Sequence, residues 1–305
     1  MTLALQQDTR AKHLRNGAER ARCHTRAVMG ADSGASFYRR PDVPFAVSAV
    51  VDERARAFAS SMPVRYREVF DATAAVEHAA IVSRRGAADI HLEPWKELPE
   101  GGVCVCVVAE DGPGLLALLS ATFIAHEIDV VAGHAFCRTL DTGRSEAVDF
   151  FWLRRMEEST FGPTIDGAEV AELRARLLPL WGAPVAEESI ELASRAPRRR
   201  LAPTALTHVS FTDSASDGGF VLTVQTHDRP GLLFAITHTL FRAGLRISRS
   251  EVRTRSGVVC DRFHLLEADG SPVRDELRRR VQADVHASVA SLASAKPAQS
   301  GNPSR

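Results

Sequence analysis

The tetrapeptide Pro-Gly-Leu-Leu occurs twice, at residues 113–116 and 230–233, each time two residues after an aspartate, Asp111 and Asp228. These residue types suit the noncovalent capture of a small charged molecule. A helix that starts at such a turn presents amide N–H groups without intrahelical partners and the positive end of its dipole, and both favour a carboxylate. Gly114 and Gly231 remove the β-carbon and let a ligand reach the backbone, while Pro113 and Pro230 occupy the first turn without forfeiting a needed N–H. Asp111 and Asp228 can receive an ammonium group, and capping the helix is their ordinary alternative role. Gly112, Leu115, Arg229 and Leu232 complete the two turns as candidate ligand-binding residues.

Other chemistry has less support. Five cysteines, Cys23, Cys104, Cys106, Cys137 and Cys260, are widely spaced. Cys104 and Cys106 would share one face of a strand about 7 Å apart, too far to bridge without moving backbone. No second Cys or His pair follows at zinc-site spacing, so reduced thiols packed as small hydrophobes are expected. His91, His126 and His134 are isolated and read as surface or core histidines rather than a catalytic set. No metal and no cofactor is expected.

The turns need elements to position them, and the repeat supplies these. The two Pro-Gly turns lie 117 residues apart (230 − 113), and the same shift superposes Gly101-Gly102 on Gly218-Gly219 and Ile128-Asp129-Val130 on Leu245-Arg246-Ile247. A self-similar period of this length marks a duplicated domain. Within each copy an extended piece, 88–93 or 207–212, leads through Gly-Gly into an apolar β-branched strand, 103–109 or 220–226. After the turn comes a helix with Leu115, Leu116, Leu119 and Phe123, or Leu232, Leu233, Ile236 and Leu240, on one face. Two more strands follow, 128–138 and 147–154 or 245–254 and 258–266, with Asp149-x-Phe151 matching Asp261-x-Phe263, and then an amphipathic helix at 167–180 or 273–290. Short connections make each leading piece pair with the strand after it, at the sheet edge. The expected fold is α+β: two ferredoxin-like modules, each a four-stranded antiparallel sheet with two helices on one face.

The remaining segments bound the organisation: a disordered arm at 1–44, a helical lead-in at 45–86 broken around Ser61-Met62-Pro63, modules at 87–200 (with a linker) and 201–293, and a disordered tail at 294–305. At 305 residues and 45% hydrophobic content the chain can bury two or three cores. With 38 basic and 38 acidic residues there is no global electrostatic case for nucleic acid, and the run Arg198-Arg199-Arg200 reads as a solvated linker. No apolar run is long enough to span a bilayer and no apolar signal segment opens the chain, so a cytoplasmic location without membrane association is expected.

The order strand, Asp-x-Pro-Gly-Leu-Leu, helix, strand resembles the ACT domain, a small regulatory module whose family binds amino acids. The tandem arrangement, with Ser61-Met62-Pro63-Val64-Arg65-Tyr66 and the segment around Glu77-His78-Ala79 ahead of it, resembles the C-terminal part of the bacterial PII uridylyltransferase/uridylyl-removing enzymes. That likeness covers roughly residues 60–290. In the family, amino acids sit between the turn and the second strand of a facing module, which adds Asp129, Val130, Arg246 and Ile247 to the candidate site. The position often held by asparagine in the family is Asp129 in one copy and Arg246 in the other. These opposite charges could pair with each other, hold the two ends of a zwitterion, or be exposed strand ends.

The resemblance also bears on catalysis. The family's nucleotidyltransferase signature, Gly-Gly-x-Gly-Arg followed by Asp-x-Asp, does not occur. The dipeptide His227-Asp228 lacks the further helical His and Asp ligands of a metal-dependent hydrolase. The expectation is therefore a non-catalytic regulatory protein that senses nitrogen or amino acids, with a glutamine-like amino acid as ligand and self-association through the modules. A ligand-free dimerisation or adaptor module docking an unidentified protein, or a truncated homologue without its catalytic domains, are the alternatives.

Overall fold

The computed structural model describes residues 53–157, 159–181, 206–214 and 219–294. The expected arm at 1–44, the start of the lead-in, Cys23, the arginine run of the linker and nearly all of the tail lie outside the described residues.

Three helices come first, α1 (Glu53–Ser61), α2 (Val64–Val69) and α3 (Ala72–Arg85). The break at residues 62–63 falls where Pro63 was expected to interrupt a helix. A second break at Phe70 was not anticipated; Asp71 restarts the helix by accepting a hydrogen bond from the Ala74 amide at 2.8 Å.

The first copy contains β1 (Ile90–Glu97), β2 (Val103–Glu110), α4 (Leu115–Ala125), β3 (Ile128–Thr139), β4 (Ser145–Arg155) and α5 (Gly167–Leu180). The second repeats that order as β5 (His208–Asp213), β6 (Phe220–His227), α6 (Leu232–Arg242), β7 (Leu245–Arg255), β8 (Val258–Glu267) and α7 (Asp275–Ser294). Both leading pieces form the expected edge hairpins: Ile90 pairs with Ala109 and His208 with Gln225. Pro94 sits in edge strand β1 at a register shift, the position in a sheet where a missing N–H is tolerated.

One feature departs from two separate four-stranded sheets. All eight strands form a single antiparallel sheet, ordered β1-β2-β4-β3-β7-β8-β6-β5. The halves join through β3 and β7, from Ala132↔Arg253 to Phe136↔Arg249. Small residues, Ala132, Gly133, Ala135 and Ser250, lie along this seam. His134 pairs with Glu251, its own counterpart in the repeat (251 − 134 = 117). In the helix layer the Ser120 hydroxyl meets that of Thr237 at 3.1 Å, again a counterpart pair (237 − 120 = 117). A local pseudo-twofold axis therefore runs between these two pairs.

The core has two layers. Val103, Val105 and Val107 of β2 pack with α4 and α5 on the helix face, and Leu222, Val224, Phe263 and α7's Val281 and Val285 continue that layer in the second copy. On β2's opposite face Cys104, Cys106 and Val108 lie under α1 to α3 with Phe58, Tyr66, Phe136 and Phe150. The expected two helices on one face thus hold for one face, while the other face of the first copy carries three more. The cause is legible in β2, Val-Cys-Val-Cys-Val-Val-Ala, which is apolar on both sides and needs cover on both. Both cysteines are free, and burial pushes their thiols well up, as inert small hydrophobes require. Within this second layer the Tyr66 hydroxyl meets His78 Nδ1 at 2.8 Å. Among the described residues no helix is long and apolar enough to cross a membrane.

Candidate functional site

Each Pro-Gly turn ends in a glycine that only a left-handed backbone can place: Gly114 at φ 85° and Gly231 at φ 81° are the N-cap residues of α4 and α6. Neither helix receives a side-chain cap; the Leu115 and Leu232 amides donate back to the Gly112 and Arg229 carbonyls at 3.4 and 3.2 Å, and among the described residues the next amides, of Leu116 and Ala117 and of Leu233 and Phe234, have no capping partner. A Cβ built on Gly231 would come within 2.9 Å of Ile124 Cδ1 from the other copy, and one on Gly112 within 3.2 Å of the Trp181 ring. Glycine permits close approach at both positions, and at Gly231 the left-handed backbone as well.

Because β3 pairs with β7, each turn faces the second strand of the other copy. Two clefts result, of about 500 and 430 Å³ counting the solvent-open space at their mouths. The first brings Asp111, Gly112, Pro113, Gly114 and Leu115 together with Arg246 and Ile247. The second brings Asp228, Arg229, Gly231 and Leu232 together with Asp129 and Val130. Of the residues expected from the sequence to bind ligand, Pro230 alone lines neither cleft.

The charges do not mirror each other. In the first cleft Asp111 Oδ2 accepts hydrogen bonds from Arg246 Nη2 at 2.7 Å and Nε at 3.2 Å. Asp129 and Arg246 lie in different clefts and do not meet; Asp129 instead binds Arg154 of the adjacent strand at 2.7 and 3.0 Å. In the second cleft burial lifts the Asp228 carboxyl to about 6, the Asp129 carboxylate adds to the rise, and Arg154 and Arg229 oppose it.

Each cleft has a buried carboxyl beneath it that sequence reasoning did not place in the site. Asp149 lines the first and Asp261 the second. They are 3% and 1% exposed and accept a backbone hydrogen bond from Phe136 at 3.2 Å and Arg253 at 3.3 Å. Burial raises Asp149 well above the usual carboxylate range and Asp261 to about 8, so burial favours the neutral form of each. The available signal was the recurrence of Asp-x-Phe in both copies, a charged residue twice interrupting an apolar strand.

The histidines fall elsewhere. His91 pairs with Glu93 at 3.0 Å, His126 is buried at the end of α4, His134 lies at the seam, and His227 is exposed at the end of β6. Among the described residues no group of three or more His, Cys, Asp or Glu is placed to hold a metal ion.

No protein-family model matches the chain. It is 25% identical over 196 residues to a bifunctional uridylyltransferase/uridylyl-removing enzyme of Ruegeria pomeroyi, covering 64% of this chain and 20% of that protein. The enzymes of the same name from Phenylobacterium zucineum and Caulobacter vibrioides are 28% and 23% identical, over 82% and 90% of this chain and 26% and 29% of theirs. The chain thus spans less than a third of the length of these relatives, and over most of its own length it is similar to a region of bifunctional uridylyltransferase/uridylyl-removing enzymes.

Proposed function

We propose that this chain is a non-catalytic regulatory protein of two ACT-like modules that binds a free amino acid, glutamine-like in class, in the clefts between its copies. The observation that carries the reading is that each Asp-x-Pro-Gly turn faces the second strand of the opposite copy, not its own solvent side. There the uncapped second and third amides of each helix, with the positive end of its dipole, supply partners for a carboxylate. The aspartate of the turn supplies a partner for an ammonium group, and Asp149 or Asp261, whose neutral form burial favours, adds a hydrogen-bonding group at the floor. Such a site orders two halves of one sheet around a ligand, which suits sensing. The similarity to a region of uridylyltransferase/uridylyl-removing enzymes supports a regulatory or truncated homologue of them, and nitrogen or amino-acid sensing is the role we assign to it.

Thermal unfolding against the standard amino acids tests this. A ligand at a hundredfold excess over its dissociation constant adds about 2.7 kcal/mol, a shift of several degrees. Gly114→Val and Gly231→Val together remove the response in a cleft-binding protein. A wild type that responds to no amino acid refutes the reading and leaves docking of another protein as the role of the modules.

A further inference from the structure

The duplication lets each cleft serve as the reference for the other. Asp111 corresponds to Asp228 (228 − 111 = 117) and Asp129 to Arg246 (246 − 129 = 117). In the first cleft a guanidinium from the facing strand lies on the turn's carboxylate, at 2.7 and 3.2 Å, with Ser145 Oγ a further partner at 3.3 Å. In the second cleft the corresponding positions hold two carboxylates, and the position filled by that guanidinium has no cation of its own from the facing strand.

The nearby cations Arg154 and Arg229 offset part of the Asp228 charge from a distance, but their guanidinium hydrogen bonds go elsewhere. Arg154 approaches Asp129 from the neighbouring strand, and its hydrogen bonds go to Asp129 rather than Asp228. The Arg229 guanidinium donates to Thr226 Oγ1 at 2.8 Å, the Val289 carbonyl at 3.2 Å and the His227 carbonyl at 3.4 Å. A second observation, shared with Asp149 beneath the first cleft, concerns the floor of the second cleft. Asp261 lines this cleft, is 1% exposed, and among the described residues accepts a single hydrogen bond, from the Arg253 amide at a long 3.3 Å. A buried carboxyl with unused hydrogen-bonding capacity is costly unless a ligand or water completes it.

We propose that the two clefts are unequal: the first is filled by the chain's own Arg246, and the second seats the cationic group of a small ligand, an ammonium, between Asp228 and Asp129 above Asp261. One ligand then binds per chain. This rests on the reading of the clefts as amino-acid sites and specifies which of them is competent and which end of the ligand it holds. A cation between two facing carboxylates relieves their mutual repulsion, as Arg246 satisfies Asp111 in the first cleft.

The test is calorimetric titration of the intact chain with each of the twenty standard L-amino acids, on wild type, Asp228→Asn and Asp111→Asn. The expected result is one equivalent bound by wild type, affinity reduced about tenfold or more by Asp228→Asn, and little change with Asp111→Asn. Two equivalents, or loss with Asp111→Asn and retention with Asp228→Asn, overturns the inequality while leaving the clefts as amino-acid sites. If no amino acid binds wild type, the cleft reading itself fails, and the seat is then judged without ligand. Facing carboxylates without a bridging cation require Asp228→Asn to raise the thermal midpoint at pH 8 and not at pH 5, with Asp129, Arg154, Arg229 and Asp261 the charged and titratable groups around it. A midpoint unchanged at both pH values overturns the proposal.

Discussion

Replacing Asp261 by asparagine should stabilise the protein at neutral pH, although it alters a fully buried polar side chain. Asparagine keeps the oxygen that accepts the Arg253 amide and removes the ionisable proton. Burial holds the folded carboxyl near 8, against about 3.9 for an unfolded aspartate. A carboxyl with a raised folded value contributes most below its unfolded value, and stability is lost as pH rises toward the folded value. Each unit of difference is about 1.4 kcal/mol, so between pH 5 and 8 the wild type should lose about 1.4 kcal/mol per pH unit from this group alone. Summed from pH 4 to pH 7, the penalty is roughly 4 kcal/mol, an upper estimate because a buried carboxyl can relax or admit water. Urea unfolding of wild type and Asp261→Asn at pH 5, 6, 7 and 8 isolates the effect as a difference, which cancels the contributions of other groups. The difference should favour the variant and widen with pH. A variant less stable than wild type at pH 8, with the two pH profiles parallel, would refute the claim that this carboxyl is held neutral in the folded protein.

Other perturbations follow from the same structure. Asp149→Asn should show the same sign and pH trend, since burial also raises that carboxyl. His78, fully buried, is held down near 3, so its contribution is present above about pH 6.5 and is lost as pH falls toward 3. His78→Leu should flatten the acid limb of stability measured by urea unfolding, while costing about 1–3 kcal/mol at pH 7 because the buried Tyr66 hydroxyl loses its partner. Gly231→Ala should cost about 1–3 kcal/mol, since alanine is disfavoured at φ 81° and its methyl meets Ile124 Cδ1 at 2.9 Å. Pairing it with Ile124→Ala should recover the packing part and leave the backbone part, as a double-mutant cycle would show.

Much of the architecture could be read before the structure was seen, because its signals are local. Asp-x-Pro-Gly turns between β-branched runs, and apolar positions at helical spacing after them, place β2 and β6 within one residue at each end and the helices α4 and α6 directly after the turns. The edge hairpins followed from connection length. What escaped reading depends on contacts distant in sequence. The seam between β3 and β7 sets Ala132, Gly133 and Ala135 against a strand rich in charged residues, with no pairing signal in either, so the single sheet, and with it the Arg246–Asp111 pair across copies, was not legible. The helix break at Phe70 carries neither Pro nor Gly and rests on the Asp71 cap alone. Asp149 and Asp261 were visible as a repeated motif, but an aspartate in a strand gives no sign of whether it faces solvent or the floor of a cleft.

The central claim is that ligand binds where a turn of one copy meets a strand of the other. Amide chemical-shift mapping of the isotope-labelled chain, titrated with each standard amino acid, tests it most directly. A binding amino acid should move the amides of residues 229 and 231–233 together with those of 129 and 130, across the two copies at once. Shifts confined to one copy, shifts at surfaces away from both clefts, or a spectrum unchanged by any amino acid would contradict it.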